Sequence, residues 1–248
     1  MELNLKDKTA LVTGASGGIG AATARLLAEE GADVVICYYQ NDAGAERTVN
    51  DIERLGRRAW MQQMDLSDPD AVAQSMKNVA AEVETVDVVV LCAGENTVVP
   101  FDELTVEEWS RIVNVNLNGA FAAIQATRPL LRPGSSIVTV ASVAAHTGAP
   151  HHAHYAAAKA GLINLPKSAA RALAPDVRVN CVAPGVTLTP MGAVTAQNLP
   201  ANYAKEKLLL QRFAQPDEIA RCIVFLASPV ASFVTGATLD ANGGRDLR

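Results

Sequence analysis

Aromatic residues make up only 4% of the 248-residue sequence, so its core must be built from aliphatic side chains. Cysteines are few: four, at positions 37, 92, 181 and 222, each in an apolar run and none in a C-x-x-C pair. That pattern argues against a disulfide framework or a thiolate metal site and suits free thiols in a reducing cytoplasm. No apolar run approaches the roughly 20 residues of a membrane span. The N-terminus, MELNLKDKTALVTG, lacks the apolar core of a signal peptide. No block of basic residues stands out, and the net charge is -5; nucleic acid is therefore a poor candidate partner. Repeats, low-complexity stretches and linkers are also absent.

What is present is an alternation of short β-branched runs with longer helical stretches. Strands are expected at Thr9–Val12, Asp33–Cys37, Ala59–Met64, Val86–Cys92, Ser136–Ala141, Arg178–Val182 and Thr238–Leu239. Several are apolar without alternation, as in strands buried on both faces of a parallel sheet. Helices are expected at Ile19–Glu30, Ala43–Leu55, Pro69–Glu84, Val106–Leu131, His154–Leu173 and Pro216–Ala227. Gly31 stops the first, and Asp68 followed by Pro69 starts the third. The order predicts an α/β fold: a doubly wound parallel sheet of about seven strands with helices on both faces, forming one domain over 1–248. Ligands of such sheets sit at the carboxyl ends of the strands. Residues 187–214 carry no clear element, and a long irregular segment in a compact domain suggests a lid.

Two groups of residues carry chemistry. The first strand runs into TGASGGIG at 13–20, followed by a helix. Gly14, Gly18 and Gly20 let the backbone turn tightly and approach a pyrophosphate at a helix N-terminus. Ser16 and Ile19 share this loop. Tyr39 ends strand two, Asp65 and Leu66 end strand three, and Ala93–Gly94 ends strand four; all are assigned to the same dinucleotide. Asp65 can accept from an adenine amino group. The second group is Tyr155 and Lys159, four residues apart in HAHYAAAKAGL, with Ser142 thirteen residues earlier at the end of SIVTVAS. Positions i and i+4 share a helix face. A cation there is expected to favour the phenolate and lower the phenol pKa, tuning it for proton transfer at a carbonyl or alcohol oxygen. Ser142 can hydrogen-bond the same oxygen.

Over nearly its whole length the chain resembles the short-chain dehydrogenase/reductase family. The matches are TGASGGIG, MDLSD, CAG, NVNLNGAF, Ser142, YAAAK, RVNCVAPGVTLTPM, QPDEIA and TGATLDANGG, in the family's order and spacing. Its overall look is nearest to the 3-oxoacyl-(acyl carrier protein) reductases. The resemblance implies a Rossmann-type domain, a nicotinamide cofactor and a catalytic tetrad of Asn116, Ser142, Tyr155 and Lys159. Within it, Lys159 also holds the nicotinamide ribose and Asn116 positions a water in a proton relay, so that Asn116, Tyr155 and Lys159 also count as cofactor residues. Pro184, Gly185, Val186 and Thr189 match the segment lying against the nicotinamide.

The implied function is reversible reduction of a ketone or 3-oxoacyl carbonyl to a secondary alcohol. Alternatives are a sugar, polyol or steroid-like alcohol dehydrogenase of the same family and a non-catalytic dinucleotide-binding regulator. Strand two ends in Cys37–Tyr38–Tyr39–Gln40–Asn41, with no acid before Asp42, and this favours NADP(H) over NAD(H). Against it, many NADP-preferring relatives have Arg where this chain has Gly17. Asn96, Ser142, His146, His152 and Tyr155 are assigned to the substrate, with His151 and His154 as solvated neighbours. The histidine spacing is not H-x-x-x-H, and no metal is expected. Arg128 and Arg132 offer a docking surface for an acidic carrier protein, or else are simply solvated. A cytoplasmic homotetramer is expected, pairing through Val106–Leu131, His154–Leu173 and the C-terminal strand. Two further departures are Leu91–Cys92 in place of the family's Asn-Asn, and Pro166 within the Tyr/Lys helix, where it removes a backbone bond.

Overall fold

The structure, a computed structural model, describes residues 2–247. Seven strands form one parallel sheet in the order β3-β2-β1-β4-β5-β6-β7. They are β1 (Thr9–Thr13), β2 (Asp33–Tyr38), β3 (Ala59–Gln63), β4 (Val88–Leu91), β5 (Ser135–Val140), β6 (Val177–Pro184) and β7 (Thr238–Ala241). All seven expected strands are found, with no end moved by more than two residues. At the carboxyl end of β4 the Thr13 hydroxyl accepts from both Cys92 N and Ala93 N at 3.1 Å, turning the chain away from the ladder after Leu91.

The apolar strands are apolar because both faces are covered. Leu11, Val35, Val89, Ile137 and Val179 enter one core with Met76, Ile124 and Leu162. Their neighbours Val12, Ile36, Val90, Val138 and Val182 enter the other with Leu27, Ile52, Ile219 and Ile223. Each face thus buries one alternate set of side chains. The helices behind these cores are α1 (Gly18–Glu29), α2 (Asp42–Arg54), α3 (Pro69–Glu82), α7 (Ala153–Leu173) and α10 (Pro216–Ala227), all near their expected spans. No helix among the described residues is long and apolar enough to cross a membrane.

The expected single helix at Val106–Leu131 is broken. It consists of α4 (Val106–Val113), a π turn at Asn114–Asn118, α5 (Gly119–Thr127) and a 3₁₀ turn at Arg128–Leu130. The side chain of Asn116 bonds the Ile112 carbonyl at 2.9 Å, inside the helix it interrupts. Gly119 packs so tightly that a Cβ there would lie 2.3 Å from Leu66 O. Such π bulges gather at functional sites. Segment 187–214, expected to be irregular, contains two short helices, α8 (Pro190–Gln197) and α9 (Tyr203–Lys207), and is pinned at its ends by a bridge between Thr187 and Ala214. A further short helix, α6 (Ala144–Thr147), follows Ser142.

Pro166 does not end α7. Proline removes the N–H that would bond the carbonyl four residues earlier, here Leu162. That carbonyl instead accepts from the Thr139 hydroxyl on β5 at 3.2 Å.

Candidate active site

The carboxyl ends of the strands open into one cavity of about 1050 Å³. Its walls include Gly14, Ser16, Gly18, Ile19, Gly20, Tyr39, Asp65, Leu66, Ala93, Gly94, Asn96, Ser142, His152, Tyr155, Lys159, Pro184, Gly185, Val186 and Thr189. Of the residues assigned to a site by sequence, only Asn116 and His146 are outside this lining.

The glycine loop is shaped for a close ligand. Gly14 has φ +68°, and a Cβ there would lie 2.8 Å from Ala93 Cα; a Cβ on Gly20 would lie 2.3 Å from Gly14 O. Helix α1 has neither a side-chain cap nor an acidic residue in its first turn. Its leading N–H groups and positive dipole end are therefore left for an anion. Asn41 Nδ2 donates to Ser16 O at 3.1 Å and ties the end of β2 to this loop. Asp65 accepts from Ser67 N and Oγ at 2.8 and 2.7 Å. Burial pushes its carboxyl up, but the bonds from Ser67 and Tyr39 outweigh this and leave it below its ordinary range. This cradle fits a dinucleotide.

The other end of the cavity holds Ser142, Tyr155 and Lys159. Ser142 and Tyr155 line the same wall, and Ser142 Oγ accepts from Ala144 N at 3.2 Å. Lys159, 3% exposed, donates to Val140 O at 2.9 Å and lies 5.4 Å from the Tyr155 ring centroid. The expected lowering of the phenol pKa is not found. Burial raises Tyr155 to about 12, with the neighbouring Ser142 hydroxyl opposing it. Burial likewise lowers Lys159 to about 8. Desolvation is the largest cause of both shifts, and the ammonium donates to a backbone carbonyl and lies over the Tyr155 ring.

Asn116 sits behind the cavity, buried in the π turn. Its Nδ2 donates to Glu95 O at 2.8 Å and Ile112 O at 2.9 Å. Its Oδ1 is buried with no hydrogen-bond partner among the described residues and faces Gly94, as does Lys159 Nζ. An orphaned buried acceptor beside an ammonium is the arrangement in which a bridging water is expected.

The histidines separate. His152 lies in the wall, its Nδ1 3.1 Å from both Asn96 Oδ1 and Thr97 O. His146 Nε2 is instead 3.1 Å from Asp240 Oδ1, away from the cavity. His151, expected to be merely solvated, is in the lining. His154, also expected in solvent, is fully buried; its Nε2 is 2.9 Å from Thr97 Oγ1, and burial lowers its pKa. Thr97 in turn donates to Glu108, which with Glu95 holds Arg111. Sequence reasoning missed this network, because its members lie in three separate segments with no shared spacing. Among the described residues no cluster of candidate ligands is placed to hold a metal ion.

Arg132 is not a free docking cation. It bonds Asp87, at the amino-terminal edge of the sheet across from the cavity, through Nε at 2.8 Å and through Nη2. Arg128 remains exposed.

Residues 14–246 match the family described as Enoyl-(Acyl carrier protein) reductase. The chain is 42% identical over 242 residues to the cis-4-hydroxycyclohexanecarboxylate dehydrogenase of Sinomonas cyclohexanicum, covering 96% of each protein. The chain belongs to the short-chain dehydrogenase/reductase family. It is also 40% identical over 247 residues to the 3-oxoacyl-[acyl-carrier-protein] reductase of Staphylococcus aureus, covering 96% of this chain and 97% of that one. A short chain dehydrogenase from Burkholderia cenocepacia, solved in complex with NADP, superposes with a TM-score of 0.92 at 36% identity, covering 98% and 99%. As a short-chain dehydrogenase/reductase, the chain is an NAD(P)-dependent oxidoreductase acting on carbonyl and alcohol groups. The non-catalytic regulator alternative is thereby set aside.

Proposed function

We propose that the protein interconverts a ketone and a secondary alcohol with NADP(H) as its preferred coenzyme, and that Asn116, Ser142, Tyr155 and Lys159 form its catalytic group. The observation that carries this reading is the convergence of Ser142, Tyr155 and Lys159 in the wall of a cavity whose other end is a dinucleotide cradle. The coenzyme, when bound, supplies or accepts the hydride. A phenol at about 12 holds its proton at neutral pH and is a donor to the developing alkoxide. Ser142 Oγ donates to the same oxygen and stabilises its charge. Lys159 and Asn116, both facing Gly94, resupply the proton to Tyr155 and place the coenzyme ribose.

The preference for NADP(H) rests on the end of β2. Tyr38, Tyr39, Gln40 and Asn41 carry no acid, and the Asp42 carboxylate is taken by the Tyr38 hydroxyl at 3.0 Å. An acid there would repel a 2′-phosphate. The Burkholderia neighbour bound NADP. For the substrate, both relatives suggest a carbonyl on an acid-derived skeleton: a ring keto acid in one case, a 3-oxoacyl thioester in the other. Residues 187–214 serve as a lid over the cavity, and the protein works as a homotetramer. Exposed Val106 and Phe121 on α4 and α5 supply apolar surface for that assembly.

The test is a panel of 4-oxocyclohexanecarboxylate, 3-oxoacyl thioesters, steroid ketones and sugars, run with both coenzymes. NADPH-dependent reduction of at least one of the first two is expected. Turnover confined to sugars or steroids, or faster with NADH, contradicts the proposal.

A further inference from the structure

We propose that Arg245 is a carboxylate-binding residue of the substrate site, and that the natural substrate is a small keto or hydroxy acid with an apolar body. This rests on the oxidoreductase reading above and adds the substrate's charge to it.

The C-terminal segment turns back over the cavity. Asn242 Oδ1 accepts from Arg245 N at 3.1 Å, and Gly243 O accepts from Leu210 N at 3.1 Å, fastening the turn to the segment after α9. Arg245 thereby joins the cavity wall. Its Nε donates to the Tyr203 hydroxyl at 2.7 Å and its Nη1 to Thr147 Oγ1 at 3.3 Å. Both partners are neutral. Among the described residues no carboxylate pairs with this guanidinium, and Nη2 has no partner.

The other cations of the wall are committed. Arg111 is held by Glu95 and Glu108, and Lys159 is buried at the catalytic end. Arg245 is thus a half-buried charge with its position fixed by two hydroxyls and its outer fork unused. A guanidinium fork matches a carboxylate in geometry and in charge, and partial desolvation strengthens the pair. Val98, Pro150, Met191 and Leu199 supply apolar wall around the same cavity, suited to a compact hydrocarbon body.

A rival role is mechanical: Arg245 joins α9 to the end of α6, and its loss would then loosen the site for every substrate alike. The two roles separate by substrate charge. In enzyme saturated with NADPH, kcat and KM are measured for 4-oxocyclohexanecarboxylate and its methyl ester, with wild type, Arg245→Gln and Arg245→Lys. Wild type is expected to favour the acid. Arg245→Gln should raise KM for the acid about 10- to 100-fold, the worth of a charged hydrogen bond, and leave the ester nearly unchanged. Arg245→Lys should recover part of the acid's affinity. Equal losses for acid and ester, or a wild type that favours the ester, overturn the proposal.

Calorimetric titration of the same NADPH complex with cyclohexanecarboxylate needs no turnover. Binding by wild type that is lost in Arg245→Gln supports the proposal; no binding by wild type overturns it. Binding through Arg245 with reduction of neither ketone would instead reject the proposed ketone chemistry while leaving the carboxylate site standing.

Discussion

Gly94 lies so close to Asn116 that a Cβ at position 94 would sit 2.6 Å from Asn116 Oδ1, and 3.1 Å from Lys159 Nζ. The glycine is therefore a spacing element between two members of the proposed catalytic group. Gly94→Ala should displace both polar atoms and cost at least about 100-fold in turnover, the scale of a lost proton-transfer contribution. The circular dichroism spectrum should stay native. Near-normal turnover would show that neither atom needs its present place.

Lys159 is a buried charge kept at a cost. Its pKa falls from the ordinary 10.5 to about 8 through burial, worth ~3 kcal/mol at 1.36 kcal/mol per unit. Below pH 8 the residue is charged in both folded and unfolded states and the full penalty applies. Between pH 8 and 10.5 the unfolded chain binds more protons, so this group adds stability as pH rises. Lys159→Met should raise Tm at pH 7, by less than the full penalty because the bond to Val140 O is lost, and the advantage should vanish by about pH 10.5. Denaturation curves at pH 7 and pH 10 check this, and activity should be abolished at both.

Gly17 has open space: nothing lies within 4 Å of a Cβ built there, and its φ of 178° suits any residue. Gly17→Arg should fold normally and raise the NADP(H) to NAD(H) preference about tenfold, as expected for one charged hydrogen bond to a phosphate. Coenzyme Kd values by fluorescence titration test it. An unchanged ratio would place the 2′-phosphate elsewhere.

The proposed lid, 187–214, should show fast amide exchange through α8 and α9 in the free protein and slower exchange with NADPH and a substrate acid bound. Equal, strong protection in both states would make it a fixed wall.

The sheet was legible because burial on two faces forces apolar strands, and because Gly31, Asp68 and Pro69 mark helix ends chemically. The glycine loop and the Tyr155/Lys159 pair were legible because their spacing is short-range. The break at Asn114–Asn118 was not, since the side-chain bond to Ile112 O and the packing of Gly119 on Leu66 depend on tertiary neighbours. His146 and His152 look alike in sequence, yet one meets Asp240 and the other Asn96. The raised phenol pKa was invisible for the same reason: sequence gives the charge of Lys159 but not the burial of the pair. Arg245 carried no signal, since 42 positions separate it from Tyr203 and 98 from Thr147.

The central claim is that Tyr155 passes the proton. Tyr155→Phe keeps the ring and removes only the hydroxyl, so fold and coenzyme affinity should persist. Single-turnover reduction of an active ketone, with NADPH binding measured in parallel, should show native coenzyme Kd and a rate at least about 100-fold lower. A native rate with native binding would contradict the account and move the proton donor elsewhere in the cavity wall.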